Sequence, residues 1–216
     1  MTVEAKICGL STAETIDAAV AGGARWVGFV TYPRSPRHIS TDVLRALGKR
    51  VPRHVGRVGL FVDPDDALLD ERLASGALDL LQLHGGETPE RLVAIRARTG
   101  KPVMKVIKVA TPADVERGLA DYEGVADRLM FEPAEGLLPG GNGKPFDWTI
   151  LSGRTIRLPW MLAGGLTADN VAEAVRVTGA PTVDVSSGVE AARGVKSVEL
   201  IRAFLDRVKA LPGGPT

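Results

Sequence analysis

The stretch that decides the fold is residues 160–185, WMLAGGLTADNVAEAVRVTGAPTVDV. It opens with a short apolar run and two glycines, and then Val171, Ala174 and Val175 recur at helical spacing. A second apolar run follows at 182–185. An apolar run, an amphipathic segment and another apolar run are typical of two parallel strands joined by a helix.

The same alternation extends outward from this stretch over the whole chain. Eight runs rich in Val, Leu, Ile and Phe are predicted as strands: 3–8, 26–32, 58–62, 78–83, 103–109, 128–132, 160–163 and 182–185. The predicted helix caps are Ser11, Ser40, Thr88, Thr111 and Thr167. Alternating strands and helices favour a parallel sheet. Eight such units in one domain favour a closed α/β barrel, the (βα)8 or TIM barrel, over an open doubly wound sheet.

The length and the loops suggest a single domain. A chain of 216 residues suits one barrel, which we expect to cover residues 1–211. The tail 212–216 is expected to be flexible. The glycine-rich stretch 136–144 is the best candidate for a mobile loop.

Composition limits the partners and the compartment. A net charge of +1 without a basic stripe argues against nucleic acid. No apolar run approaches the ~20 residues of a membrane span, so we expect no membrane partner. The single cysteine, Cys8, and the lack of a leader-like start predict a cytoplasmic protein. No dinucleotide motif or metal-ligand spacing is present, so we expect no cofactor and no metal. The sequence leaves monomer and homodimer equally open.

Small residues follow the last two predicted strands. Gly164 and Gly165 come after the seventh strand, and Ser186, Ser187 and Gly188 come after the eighth. In barrels of this kind these two loops commonly hold a phosphate, because bare backbone N–H groups and a helix amino end attract an anion. The alternative is that the glycines merely turn the chain. The two loops together predict a phosphate-binding site.

Other polar residues mark the carboxyl ends of the strands. Cys8 is either a buried small hydrophobe or, at the mouth of the first strand, a base or a nucleophile. Lys6 shares its face of the strand and needs an acidic partner if buried, for which Asp184 is the candidate. Arg37 is a candidate to bind an anionic substrate. His84 is either a base or a histidine held by backbone hydrogen bonds.

Taken in order, these residues resemble a known family. The matching motifs are Lys6-Ile7-Cys8-Gly9-Leu10, Gly28-Phe29-Val30 with Ser35-Pro36-Arg37, Gln82-Leu83-His84-Gly85, Gly140-Gly141-Asn142-Gly143 with Phe146-Asp147-Trp148, Ala163-Gly164-Gly165-Leu166, and Asp184-Val185-Ser186-Ser187-Gly188-Val189-Glu190. They resemble the motifs of phosphoribosylanthranilate isomerases, from the first strand to the eighth. Each motif is weak, but the ordered set is specific.

The resemblance implies an aldose–ketose isomerase of tryptophan biosynthesis. It implies an Amadori rearrangement of N-(5-phosphoribosyl)anthranilate to 1-(2-carboxyphenylamino)-1-deoxyribulose 5-phosphate, without a cofactor. Cys8 would be the general base, and Arg37 would hold the anthranilate carboxylate. Gln82, His84 and Asp184 are expected to contact the substrate. The family's general acid is an aspartate, whereas this chain has Glu132.

The Glu132 replacement leaves a second hypothesis open, a non-catalytic or differently specific barrel that binds a phosphorylated sugar. Two other phosphate barrels fit less well. Indole-glycerol-phosphate synthases have an amino-terminal extension that this chain lacks, and ribulose-phosphate epimerases need metal-binding histidines and aspartates that the sequence does not show.

Overall fold

The computed structural model describes residues 2–134 and 147–211. The expected mobile loop at 136–144 and the expected tail at 212–216 lie outside the described residues.

Eight parallel strands form a closed barrel in the order of the chain, which confirms the predicted fold. They are β1 Glu4–Cys8, β2 Trp26–Val30, β3 Gly56–Phe61, β4 Leu80–Leu83, β5 Val103–Val109, β6 Arg128–Pro133, β7 Trp160–Leu162 and β8 Thr182–Val185. The barrel closes where β1 pairs with β8, with Lys6 opposite Asp184. The predicted boundaries differ by up to two residues, as where the run 26–32 ends at Val30.

Helices cover the outside of the barrel. They are α1 Ala13–Ala21, α2 Thr41–Gly48, α3 Asp66–Leu73, α4 Pro89–Thr99, α5 Pro112–Tyr122, α6 Val171–Thr178 and α7 Val198–Lys209. Ser40, Thr88 and Thr111 occupy the N-cap positions as predicted.

Two of the predicted caps are wrong. The cap of α1 is Thr12 rather than Ser11, because the Thr12 hydroxyl accepts the N–H of Thr15. Thr167 does not cap α6, which begins after Asn170. The backbone N–H of Thr167 instead donates to the Asn170 side chain at 2.8 Å.

Two connections depart from the simple strand–helix alternation. Between β6 and β7 the described residues form a 3-10 helix at Trp148–Leu151 in place of the expected α-helix. After β8 a 3-10 helix at Ser187–Val189 leads into a hairpin of β9, Glu190–Ala192, and β10, Val195–Lys196. Strands of two and three residues are too short to give an alternating pattern, so the sequence did not predict this hairpin.

The lower barrel interior is filled with apolar side chains. Successive residues of a strand point to opposite faces, and the inward-facing set that packs together is Trp26, Val58, Leu80, Met104, Val106, Met130, Met161 and Ala163. This layer closes the barrel below its carboxyl-terminal mouth, so polar residues at the strand ends lie above an apolar floor. None of the described helices has the length and apolar character needed to span a membrane.

Candidate active site

A cavity of about 620 Å³ opens at the carboxyl ends of the strands. Each strand, or the residue directly after it, contributes to its wall. The predicted site residues that line it are Cys8, Arg37, Gln82, His84, Glu132, Gly164, Gly165, Asp184, Ser186 and Ser187. Gly188 is the one predicted site residue that does not line this cavity. The position is the one at which barrels of this type carry their active sites.

Cys8 lies in this wall beside a buried ion pair. Lys6, which is fully buried, donates to Asp184 Oδ1 at 2.7 Å, so the predicted partner is confirmed. Burial lowers the pKa of Lys6, but the charges of Asp184 and Cys8 outweigh it and raise that pKa overall. A Cβ at Gly28 on the neighbouring strand would lie 2.9 Å from Cys8 Sγ, so glycine there leaves room for the thiol.

The ionisation of Cys8 depends on opposing influences. Burial raises the pKa of the thiol, and Asp184 adds to that effect. The ammonium groups of Lys6 and Lys196 act in the opposite direction, because a nearby cation favours the thiolate. The net result is a raised pKa, so near neutral pH Cys8 is mainly a thiol.

Glu132 on β6 is held by a short hydrogen-bonded chain. His84 Nε2 lies 2.8 Å from Glu132 Oε1, and Gln82 Nε2 lies 3.1 Å from His84 Nδ1. The tautomer with the ring hydrogen on Nε2 fits both contacts, since the amide N–H then donates to Nδ1 and Nε2–H donates to the carboxylate. The sequence placed all three residues at strand ends but did not predict that they contact one another.

The loop that follows His84 is fixed from behind by a second buried ion pair. Lys105, on the outer face of β5, donates to Glu87 Oε2 at 2.7 Å and to the carbonyl of Gly85 at 2.6 Å. Glu87 Oε1 accepts the backbone N–H groups of Asp63 and Gly85. Buried charges that are paired and hydrogen-bonded in this way hold a loop in one conformation.

Arg37 makes a bidentate ion pair within the protein. Its Nε and Nη2 donate to the two carboxylate oxygens of Glu190 at 2.5 and 2.8 Å. Lys196 Nζ donates to the same carboxylate at 2.9 Å. Burial disfavours the Glu190 carboxylate, but these hydrogen bonds and that from the Gly194 N–H lower its pKa to about 2. The pairing leaves Arg37 Nη1 outside the fork.

Two of the predicted phosphate glycines have a packing reason for their identity. Gly164 has φ 94°, and a Cβ there would lie 2.0 Å from Pro133 Cδ. A Cβ at Gly188 would lie 1.9 Å from the carbonyl oxygen of Leu166. Close approach therefore requires glycine at both positions, whatever binds nearby. Gly165, Ser186 and Ser187 remain as small residues on the cavity wall.

Sequence reasoning missed two lysines of the site. Lys108 lines the cavity at the end of β5. Its signal was present, because it lies two and four residues after the inward-facing Val106 and Met104. Lys196 lies in the unpredicted hairpin, and no local pattern relates it to Glu190 or Ser186.

A family model and relatives of known name match nearly the whole length of this chain. The family model described as N-(5'phosphoribosyl)anthranilate (PRA) isomerase matches residues 5–207. Proteins named N-(5'-phosphoribosyl)anthranilate isomerase are similar to it in Paracoccus denitrificans and Rhodospirillum centenum. The first is 54% identical over 97% of this chain and 99% of its own length. The second is 54% identical over 98% of this chain and 100% of its own length.

Solved structures agree with these relatives. The crystal structure of phosphoribosyl anthranilate isomerase from Thermotoga maritima matches with a TM-score of 0.87 and 35% identity, covering 97% of this chain and 100% of that one. A phosphoribosyl anthranilate isomerase in complex with reduced 1-(o-carboxyphenylamino)-1-deoxyribulose 5-phosphate matches with a TM-score of 0.84 and 34% identity, over the same shares of the two chains.

Proposed function

We propose that this chain, a member of the N-(5'-phosphoribosyl)anthranilate isomerase family, converts N-(5'-phosphoribosyl)anthranilate to 1-(2-carboxyphenylamino)-1-deoxyribulose 5-phosphate in tryptophan biosynthesis. The observation that carries the proposal is the placement of Cys8 and Glu132 in one cavity wall, on β1 and β6. These strands are three steps apart around the barrel. A thiol and a carboxyl group so placed face a bound sugar from different sides.

The acid half of the reaction is assigned to Glu132. Its protonated carboxyl donates to the furanose ring oxygen while the anilino nitrogen forms a double bond to C1 of the ribose. The bond between C1 and the ring oxygen breaks, and the product is an open-chain Schiff base. His84 supports this role, because its Nε2 fixes Glu132 Oε1 at 2.8 Å and so limits the freedom that the additional methylene of glutamate brings.

The base half is assigned to Cys8. Its thiolate takes the proton from C2 of the ribose, and the electron pair moves into the protonated C=N bond to give an enolamine. The enolamine tautomerises to the ketone when C1 gains a proton and the C2 hydroxyl loses one, so no atom is gained or lost overall. The ammonium groups of Lys6 and Lys196 support the thiolate, and general acid and base catalysis each contribute about 10²- to 10⁴-fold.

Substrate binding is assigned to the rest of the wall. Arg37 is the partner for the anthranilate carboxylate, and Glu190 supports this by fixing the guanidinium. The phosphate is assigned to Gly164, Gly165, Ser186, Ser187 and Gly188, with Gly188 as a member of the turn rather than the wall. Gln82, His84 and Asp184 are assigned to substrate contacts. Because Asp184 Oδ1 accepts from Lys6, the other carboxylate oxygen, Oδ2, is the one assigned to the substrate.

The non-catalytic hypothesis rests on Glu132 alone and is not favoured by the family relationship. A turnover assay separates the two hypotheses. N-(5-phosphoribosyl)anthranilate is generated from anthranilate, and its conversion is followed by the loss of fluorescence. An isomerase consumes the substrate at a rate proportional to enzyme concentration. A protein that binds the substrate without consuming it would contradict the proposal.

The setting of the enzyme is also a proposal. The cytoplasm suits a base that must stay a reduced thiol, since Cys8 is the one cysteine of the chain. The substrate is a phosphorylated small molecule, and monomer and homodimer remain the two oligomeric hypotheses. The isomerase of Thermotoga maritima, which is similar to this chain, is dimeric, and a solved structure is of monomers generated from it. Light scattering of this protein in solution decides between the two states.

A further inference from the structure

Lys196, on the short strand β10, is an enclosed cation, and the function proposed above uses only its charge beside Cys8 and not its hydrogen bonds. Its side chain is 1% exposed. Nζ donates to the Ser186 carbonyl at 2.7 Å, to Ser186 Oγ at 3.1 Å and to Glu190 Oε1 at 2.9 Å. An ammonium group has three N–H donors, so all three are used within the protein. A buried charge fixed by three bonds holds its partners in one arrangement.

Those partners lead to two separate parts of the cavity. Ser186 Oγ donates to the carbonyl oxygen of Cys8 at 3.3 Å, which connects the loop after β8 to the mouth of β1. Glu190 uses both of its carboxylate oxygens to hold the guanidinium of Arg37. Through these bonds Lys196 connects the part of the cavity near Cys8 to the part near Arg37 Nη1, the nitrogen that lies outside the ion pair with Glu190.

The charge of Lys196 also acts on Cys8. The charged groups that face Cys8 are Lys6 on its own strand, Asp184 on β8, Arg37 from the loop after β2, and Lys196 on β10. Lys6 and Asp184 form a pair with no net charge. Arg37 and Lys196 share the single anion Glu190, so this group carries a net charge of +1 beside the thiol.

We propose that Lys196 is a positioning residue of this isomerase, which holds Ser186 against Cys8 and Glu190 against Arg37 and whose charge favours the Cys8 thiolate. The inference rests on the proposed function only in assigning the thiol as the base. Lys196 reaches the reaction through Ser186, Glu190 and its field at Cys8, and we assign it no contact with the substrate.

The test compares three substitutions with the parent and one control. Lys196→Met and Lys196→Gln remove the charge, and Lys196→Arg keeps it. The control is Lys209→Met on α7, where the side chain is 55% exposed and lies 4.0 Å from Asp206. Because the chain has one cysteine and two tyrosines, the ultraviolet absorbance of the thiolate reports Cys8 once the ionisation of the tyrosines, followed at its own longer wavelength, is subtracted. That absorbance is titrated against pH, and kcat and KM are measured for each protein, with thermal unfolding as a check on folding.

We expect the neutral variants to titrate about one pH unit higher at Cys8, because an opposite charge is lost. We expect kcat/KM to fall roughly tenfold to a hundredfold, with a rise in KM from the loosened Arg37, because small displacements in a site are costly. The pH at which kcat/KM reaches its plateau should rise with the titration of Cys8. Lys196→Arg should restore the titration of Cys8 more fully than it restores kcat/KM. Lys209→Met should match the parent in both measurements.

An unchanged Cys8 titration in a folded neutral variant would overturn the proposal, as would kinetics within twofold of the parent. Loss of folding in both neutral variants would also overturn it, by assigning Lys196 to stability alone. An inactive parent is a different result, because it contradicts the proposed function, whereas the thiolate titration still tests the effect of Lys196 on Cys8.

Discussion

His84 Nε2 and Glu132 Oε1 lie 2.8 Å apart across the ends of β4 and β6. The contact joins a histidine whose other ring nitrogen accepts from Gln82 to Glu132, where the resemblance stated from the sequence implies an aspartate. A glutamate carries its carboxyl group one methylene further from the backbone than an aspartate does. A fixed donor at the end of that longer side chain gives the carboxyl group a defined position.

His84→Asn tests whether this contact serves catalysis. If His84 positions Glu132, kcat should fall roughly tenfold to a hundredfold, more than KM rises from the lost substrate contact, because a displaced acid affects the transition state more than binding. His54→Asn, at an exposed position, is the matched control and should leave both constants unchanged. A rise in KM at constant kcat would leave His84 with its substrate contact alone and would remove it from the positioning of Glu132.

Cys8→Ala separates the two interpretations of the cysteine. As the general base, Cys8 is required, so the variant should lose nearly all turnover and still bind reduced 1-(o-carboxyphenylamino)-1-deoxyribulose 5-phosphate. Calorimetry measures the binding, and the fluorescence assay measures the turnover. A buried small hydrophobe would tolerate alanine, so a variant that retains most of its kcat would remove the thiol from the mechanism.

Glu190 should make stability depend on acid pH. Its folded pKa of about 2 lies below the ordinary value of 4.5. The carboxylate therefore stabilises the fold fully above about pH 4.5, and this stabilisation is lost as the pH falls toward 2. Between these limits the free energy of unfolding of the parent should fall more steeply than that of Glu190→Gln.

Denaturant unfolding at a series of pH values measures this difference. Asp114, whose pKa is also lowered to about 2, contributes equally to both proteins and cancels in the comparison. Glu14→Gln, at an exposed position on α1, should follow the parent. If the free energies of unfolding of the parent and of Glu190→Gln change with pH in parallel, Arg37 and Lys196 do not stabilise the Glu190 carboxylate.

Anion binding tests the phosphate assignment. Crystals soaked in inorganic phosphate should show an ion at the backbone N–H groups of Gly165, Ser186 and Ser187, since these small residues line the cavity where an anion meets exposed donors. Inorganic phosphate should also inhibit turnover in competition with the substrate. Ions found only at other places would contradict the assignment.

The sequence predicted the barrel well because the barrel depends on local pattern. Eight apolar runs and their helices each fit within a short window, and strand ends in a parallel barrel necessarily meet at one face. Cys8, His84 and Glu132 could therefore be placed together without coordinates. The partner of Lys6 was predictable as well, since β1 and β8 must pair to close the barrel.

The sequence could not predict contacts that depend on the exact path of loops. Arg37 and Glu190 are 153 residues apart, and their pairing requires the loop after β2 to meet the β9–β10 hairpin. Lys196 lies in the same hairpin, whose strands are too short for a pattern. Gly164 and Gly188 were assigned to an anion from their small size, whereas contacts with Pro133 and Leu166 also require glycine.

Replacement of Glu132 by aspartate introduces the residue that the resemblance implies for the general acid. Glu132→Asp keeps the carboxyl group, so activity should survive even though the contact with His84 Nε2 must lengthen. Turnover measured beside the parent checks this expectation. If Glu132→Asp, Glu132→Gln and the parent all bind the substrate without converting it, the non-catalytic hypothesis gains support.

The most direct test of the account is the turnover number of Glu132→Gln. Glutamine keeps the shape of the side chain and a hydrogen-bonding oxygen for His84, but it has no acidic proton to donate to the ring oxygen. If Glu132 is the proton donor, kcat should fall by roughly 10²- to 10⁴-fold, with the dissociation constant for reduced 1-(o-carboxyphenylamino)-1-deoxyribulose 5-phosphate little changed. A Glu132→Gln protein as active as the parent would contradict it, because another group would then be the proton donor.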